Sequence, residues 1–215
     1  MKSILVIGMG RFGRHLAKKM HEMGNEVMVV DKTEARIDQI AEIYADSYVG
    51  DCTNEGVLRS LGINNFDICF VTVGSDFQAS LEITSLLSEL GAKKIIAKAK
   101  EDRQAKFLKA VGASEVVYPE REIAEKLAVR CNADNIFDYI ELTAEYSIYE
   151  IPAPNVWTGR TISELNIRQK YGITVIAVKN GNKINVMPRA DYAFNNDDHV
   201  VVIGKSDDVF KVKSK

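Results

Sequence analysis

The run Gly8-Met9-Gly10-Arg11-Phe12-Gly13 constrains this chain more than any other feature, because it joins a short apolar segment, Ile4 to Ile7, to a segment of helical period. The pattern G-x-G-x-x-G carries weight only in such a strand, turn and helix setting. Each glycine has its own job. Gly8 permits the tight turn, Gly10 leaves the backbone open to a pyrophosphate, and Gly13 lets the helix pack closely on the sheet. The start of the helix then offers free N–H groups and partial positive charge to phosphates. Asp31 ends the next apolar segment 18 residues after Gly13, near the separation at which a carboxylate meets the ribose hydroxyls of a nucleotide. Lys32 follows it at the same edge. A 2′-phosphate beside Asp31 meets like-charge repulsion, so NAD(H), ATP, ADP or AMP are expected in preference to NADP(H).

The rhythm continues well beyond the turn. Apolar runs at Ile4 to Ile7, Val27 to Val30, Ser47 to Val49, Ile68 to Val73, Ile95 to Ala99 and Val116 to Tyr118 alternate with amphipathic segments. Phe12, Leu16, Met20 and Met23 form the apolar stripe of the first helix, and Ile37, Ile40, Ala41 and Tyr44 that of the second. Gly24, Gly62, Gly91 and Gly112 fall where helices should stop. This alternation predicts an α/β fold, a Rossmann-type doubly wound parallel sheet over residues 1–134.

After Asn132 the pattern changes. Glu145 to Ile151 reads as extended and ends at Pro152-Ala153-Pro154, which cannot continue a central strand. Thr161 and Glu164 form a capping-box signature ahead of Leu165 and Arg168. Ile173 to Val178, the turn signal Asn180-Gly181-Asn182, Lys183 to Met187 and Val200 to Ile203 complete a small α+β C-terminal domain over residues 139–215. A unit of roughly 75 residues is marginal by itself and is expected to lean on a neighbour or on a second copy.

Further candidate contacts follow from position. Arg11 is either a mobile charge for a terminal phosphate or a solvated surface arginine. Gly50-Asp51-Cys52-Thr53 closes the third strand at the carboxyl edge of the sheet, where ligands of this fold class bind. There Asp51 either contacts the adenosine end or, like Thr53, caps the helix beginning near Asn54. Val73, Gly74 and Ser75 end the fourth strand at the same edge, and Gly74 either lets a cofactor pass or makes the turn.

Composition narrows the function. Net charge is −2 with Lys and Arg scattered among Asp and Glu, which argues against a nucleic-acid partner. No stretch approaches the roughly 18 apolar residues of a membrane span, so a cytoplasmic location is expected. Cys52, Cys69 and Cys131 are odd in number and far apart, and read as reduced thiols with Cys69 a buried hydrophobe. Hydride-transfer enzymes on this fold need an acid-base residue near the nicotinamide. His15 and His21 lie six apart, not at metal-pair spacing, His199 precedes a strand, and no nucleophile elbow or H-E-x-x-H occurs. A binding or sensing protein is expected rather than an enzyme.

Together with Val30-Asp31, Gly50-Asp51-Cys52-Thr53, Ala97-Lys98-Ala99, Tyr118-Pro119-Glu120 and Leu165-Asn166-Ile167-Arg168-Gln169-Lys170-Tyr171-Gly172, the glycine turn resembles the RCK or Trk/Ktr-type cytoplasmic regulatory subunits of potassium transport systems. The resemblance covers essentially the whole chain. It implies a Rossmann site for which ATP and ADP compete, with an NAD(H)-responsive Trk-type regulator as the alternative. It also implies homodimers assembling into a ring, an octamer, that gates an integral membrane potassium-translocating subunit of the TrkH or KtrB kind. Arg11 then approaches the ATP γ-phosphate across a dimer interface and Lys98 lies near that phosphate. Glu120 is associated with a divalent cation, magnesium or calcium, although a place in the first turn of a helix accounts for an acidic residue without one. In the C-terminal domain the resemblance implies cyclic di-AMP bound between two copies by the segment Ile162 to Ile173, including Ile167, and by Pro188. Arg168 would face a phosphate there, with Ile162 and Ile173 packed on adenine.

Overall fold

The structure, a computed structural model, describes residues 1–40, 43–44, 46–132, 138–143 and 145–212. Ala41, expected in the second helix's stripe, lies outside the described residues, as does the expected boundary at 134. The chain divides into two compact units, Met1–Glu122 and Ile123–Lys215.

The first unit runs β1 (Ser3–Ile7), α1 (Arg11–Glu22), β2 (Glu26–Asp31), α2 (Glu34–Asp38), β3 (Asp46–Val49), α3 (Glu55–Leu61), β4 (Ile68–Val71), α4 (Phe77–Glu89), β5 (Ile95–Lys98), α5 (Asp102–Ala110), β6 (Glu115–Val117) and the start of α6 (Pro119–Asn132). Its strands form one 6-stranded sheet in the order β3-β2-β1-β4-β5-β6, every neighbouring pair parallel. Because side chains alternate along a strand, β1 serves two cores. Leu5 and Ile7 join Leu58, Leu87 and Leu108 on one face, while Ile4 and Val6 join Ala17, Val29 and Ile37 on the other. Burial on both faces is why β1 reads as an unbroken apolar run. The strand order reverses between β1 and β4, which opens a crevice at the carboxyl ends of these two strands.

Two expected helices differ in detail. The buried line of α1 is Gly13 and Ala17, with Leu16 and Met20 only partly buried and Met23 exposed. A helix held this close to the sheet tolerates only small residues at the contact, so the large apolar ones sit to its sides. The second helix is cut to Glu34–Asp38, yet Ile37, Ile40 and Tyr44 are buried as expected. The fourth strand stops at Val71, two residues before the expected end, because the chain turns out of the sheet at Thr72.

The second unit contains β7 (Asp138–Glu141), β8 (Tyr146–Pro152), α7 (Ile162–Leu165), α8 (Ile167–Tyr171), β9 (Thr174–Asn180), β10 (Lys183–Val186), β11 (His199–Lys205) and α9 (Ser206–Val212). Its strands form a 5-stranded antiparallel sheet in the order β10-β9-β11-β8-β7 over a core centred on Trp157, Phe194 and Val200. The predicted hairpin is present: Asn180 pairs with Lys183 across a two-residue loop in which Gly181 takes φ +54°. The capping box is present too, with Thr161 Oγ1 accepting from Glu164 N and Glu164 Oε2 accepting from Thr161 N. Its helix breaks at Asn166, which takes the left-handed conformation at φ +46° and separates α7 from α8. Strand β7 and helix α9 carry no clear sequence signal, being short and flanked by no turn motif. His199 begins β11 instead of preceding it, and its Nδ1 lies 3.1 Å from Glu150 Oε1. Among the described residues no helix is long and apolar enough to cross a membrane.

Candidate functional site

The crevice at the strand reversal is a cleft of about 860 Å³ within the first unit. That volume is in the range of small-molecule and cofactor sites. Its floor is the glycine turn. Gly8 sits at φ +100°, where side chains are strained, and a Cβ on Gly13 would lie 2.0 Å from the Gly8 carbonyl oxygen and 2.6 Å from Thr72 Oγ1. A Cβ on Gly10 would meet nothing within 4 Å, so the turn is open to the cleft at the position assigned to phosphate approach. Gly10 also begins α1 with no side-chain cap, and the first turn of this helix contains no acidic residue. The second helix start at the cleft is different, since Asp76 Oδ1 accepts from Ala79 N and so supplies a negative charge of its own. An anion is therefore favoured at α1 over α4.

Two buried side chains hold the turn in shape. Asp31 Oδ2 accepts from Met9 N at 2.6 Å and its Oδ1 from Thr33 N at 2.8 Å, while Arg36 Nη1 donates to Oδ2 at 3.1 Å. Burial pushes the Asp31 carboxyl up, but the Thr33 and Met9 amides and Arg36 together hold it below the usual range. Thr72 Oγ1 donates to the Gly8 carbonyl at 2.5 Å and lies 3.1 Å from that of Ile7. Asp31 thus fixes the turn from the end of the cleft where the spacing leads a ribose to be expected.

The opposite wall carries Lys98. Its side chain is 10% exposed and passes beside Gly74, and its ammonium bonds Glu120 Oε1 at 2.5 Å and lies 5.6 Å from the centre of the Phe12 ring. The Lys98 bond holds the Glu120 carboxyl below its ordinary value. Arg11, exposed on the first turn of α1, lines the cleft as well, and Lys32, likewise exposed, lines it beside Asp31. Among the described residues no group of three or more His, Cys, Asp or Glu could hold a metal ion. Glu120 is paired with Lys98 and belongs to no such group among the described residues.

Every residue expected at the Rossmann site lines this cleft except Gly13, which packs against Gly8 and Thr72, and Thr53, which bonds Asp51. Two readings of the third-strand loop need correction. Neither Asp51 nor Thr53 caps α3: Asn54 does, accepting from Gly56 N, and Asp51 Oδ1 instead accepts from Thr53 N and Thr53 Oγ1 to close the loop. Those two bonds hold the Asp51 carboxyl low. Cys52 is buried, and burial with Asp51 and Asp31 nearby pushes its thiol up to about 12, so it packs without reacting. In the second unit Arg168 is exposed and Ile162 and Pro188 are half-buried, but Ile167 and Ile173 lie in the core. Ile173 is fully buried and is not available to pack on an adenine at the surface of the chain. Sequence reasoning missed Thr72, Arg36, Gln39, Asp76 and Lys100, all of which line the cleft. Thr72 had a signal, a hydroxyl at the end of an apolar strand, and Arg36 had none beyond its nearness to Asp31.

Comparison with known proteins agrees with this architecture. Residues 4–119 match the TrkA-N domain and residues 146–215 the TrkA-C domain. The chain is 39% identical over 214 residues to Ktr system potassium uptake protein C of Bacillus subtilis, covering 100% of this chain and 97% of that one. It is 35% identical to Ktr system potassium uptake protein A of the same organism, with 100% and 96% covered. Among solved structures, the GsuK channel bound to NAD superposes with a TM-score of 0.68 at 21% identity, covering 96% of this chain but only 38% of the channel chain. That likeness is one of fold.

Proposed function

Since this chain belongs to the family built from a TrkA-N and a TrkA-C domain, we propose that it is a regulatory subunit of a potassium uptake system that senses an adenine nucleotide in the cleft of its first unit. One observation carries the reading: the uncapped start of α1, over a glycine turn pinned by Asp31 and Thr72, faces the same cleft as Lys98. Phosphates bind at the amides of α1, the ribose lies toward Asp31, and a terminal phosphate reaches Arg11 and Lys98. The likeness to Ktr system proteins over the whole chain supports the link to potassium uptake.

In this reading the subunit works at the cytoplasmic face of a membrane, as a homo-oligomeric ring bound to an integral membrane partner, and catalyses no reaction. A ligand shifts a two-state assembly only by the difference in its affinity for the two states. ATP differs from ADP by one phosphate, so the residues that meet this phosphate must supply the difference. Arg11→Ala is expected to weaken ATP more than ADP in calorimetric titrations of the purified protein, and equal losses contradict the assignment. Native mass spectrometry of the same material should report both a retained adenylate and the ring size.

A second reading, an NAD(H)-responsive regulator, is favoured by the fold neighbour described as bound to NAD. Competition between NADH and ATP separates the two. For cyclic di-AMP in the second unit, exposed Arg168 with Ile162 and Pro188 remains the proposed contact set. Titration of the full chain and of Arg168→Ala tests it, and a saturating signal that Arg168→Ala leaves intact removes that assignment.

A further inference from the structure

The ribose end of the cleft carries more positive charge than Asp31 alone implies. Arg36 lies 3.1 Å from Asp31 Oδ2 with its side chain 50% exposed, and Lys32 also lines the cleft. A carboxylate accepts at about four lone-pair sites. All four are in use: Met9 N and Arg36 Nη1 on Oδ2, Thr33 N on Oδ1, and the Thr33 side chain as a fourth donor. No acceptor remains, whereas a ribose presenting both hydroxyls to Asp31 needs two. The amide bonds belong to a turn that is already fixed, so the side chains of Arg36 and Thr33 are the partners that give way. Once displaced, Arg36 stays tethered to α2 at the edge of the ribose, one turn of chain from Lys32. A guanidinium offers a planar fork of donors that matches phosphate. The like-charge argument against a 2′-phosphate treats Asp31 as bare; a ligand phosphorylated on its 2′-hydroxyl presents only the 3′-hydroxyl to Asp31, so Arg36 can stand between carboxylate and phosphate and offset the repulsion.

We propose that Arg36, with Lys32 beside it, makes the ribose end of this cleft an anion subsite, so that the site takes adenosine ligands phosphorylated on the 2′-hydroxyl as well as those with a free ribose. This deepens the nucleotide-sensing reading above and rests on it. An arginine near the ribose acid is the feature that accommodates a 2′-phosphate on this fold.

The test is calorimetric titration of the full-length protein with 5′-AMP and with adenosine 2′,5′-bisphosphate, in the wild type, Arg36→Ala and Arg36→Gln. The wild type is expected to bind the bisphosphate within about tenfold of AMP, and both variants to lose about tenfold or more for the bisphosphate, the scale of one charge-assisted hydrogen bond. AMP should bind the variants at least as tightly, because Asp31 regains an acceptor. Wild-type protein that binds AMP but holds the bisphosphate more than about a hundredfold more weakly overturns the proposal. Equal losses for both ligands in both variants, with unchanged circular dichroism, also overturn it. If folded wild-type protein binds neither ligand, the nucleotide reading itself fails, a different result from rejection of the bisphosphate alone.

Discussion

Replacing Gly13 by alanine tests the physical basis of the cleft most directly. The added Cβ would stand 2.0 Å from the Gly8 carbonyl oxygen, where ordinary contact begins near 3.4 Å, and the obstacle is backbone that cannot rotate aside. Helix α1 must therefore retreat by roughly 1.4 Å. Overpacking of this kind costs about 1–3 kcal/mol, and a backbone obstacle places it at the upper end. With a urea slope of about 2 kcal/mol per molar, the unfolding midpoint falls by about 1.5 M, read by far-ultraviolet circular dichroism. The same retreat takes an amide about 2.9 Å from a phosphate oxygen beyond 4 Å, outside hydrogen-bond range, so nucleotide affinity falls at least about tenfold. Gly10→Ala is the control. Its Cβ meets no protein atom within 4 Å, so stability should change by less than about 1 kcal/mol, the loss of a permissive N-cap, while nucleotide binding still suffers. Wild-type stability and affinity in Gly13→Ala, or a larger stability loss in Gly10→Ala, would refute the reasoning.

Three other outcomes are expected. Thr72→Val keeps the shape but removes the hydroxyl that donates to the Gly8 carbonyl, and should cost about 1–3 kcal/mol in the same urea assay. Asp31 has a folded value below its unfolded one of about 3.9, so its stabilisation is present above that pH and is lost as pH falls through the folded value. Asp31→Asn should accordingly be less stable than wild type at pH 7 by about 2 kcal/mol, with the gap closing in acid melts below about pH 4. Of the three cysteines, Cys52 and Cys69 are buried with thiols pushed up to about 12 and Cys131 is exposed. A neutral-pH thiol reagent should label Cys131 alone in native protein and all three in urea, counted by mass spectrometry.

The sheet of the first unit was legible because most of its strands are apolar runs that alternate with helices, four of which stop at a glycine, a signal that local residues carry by themselves. Gly24, Gly62, Gly91 and Gly112 all take positive φ where helices were expected to end. Residues whose role depends on packing were not legible. The close seat of α1 turned its apparent stripe of Phe12, Leu16, Met20 and Met23 into flanks around Gly13 and Ala17. Asn54 took the cap that Asp51 and Thr53 seemed equally able to supply. The adenine contact of Ile173 came from the resemblance alone, and the residue lies in the core just ahead of β9. At the cleft the glycines and Asp31 were readable from spacing, whereas Thr72 and Arg36 act through contacts that only the folded chain creates.

The lysine on the cleft wall is never idle, and this has a bearing on timing. Lys98 begins in the grasp of Glu120, so an incoming phosphate gains only the difference between two partners of like charge. Such an exchange lets the chain tell ligands apart without clinging to them. If the proposed sensing holds, such a protein has to release its last reading before it can take the next, and a carboxylate placed to reclaim the ammonium would favour that release.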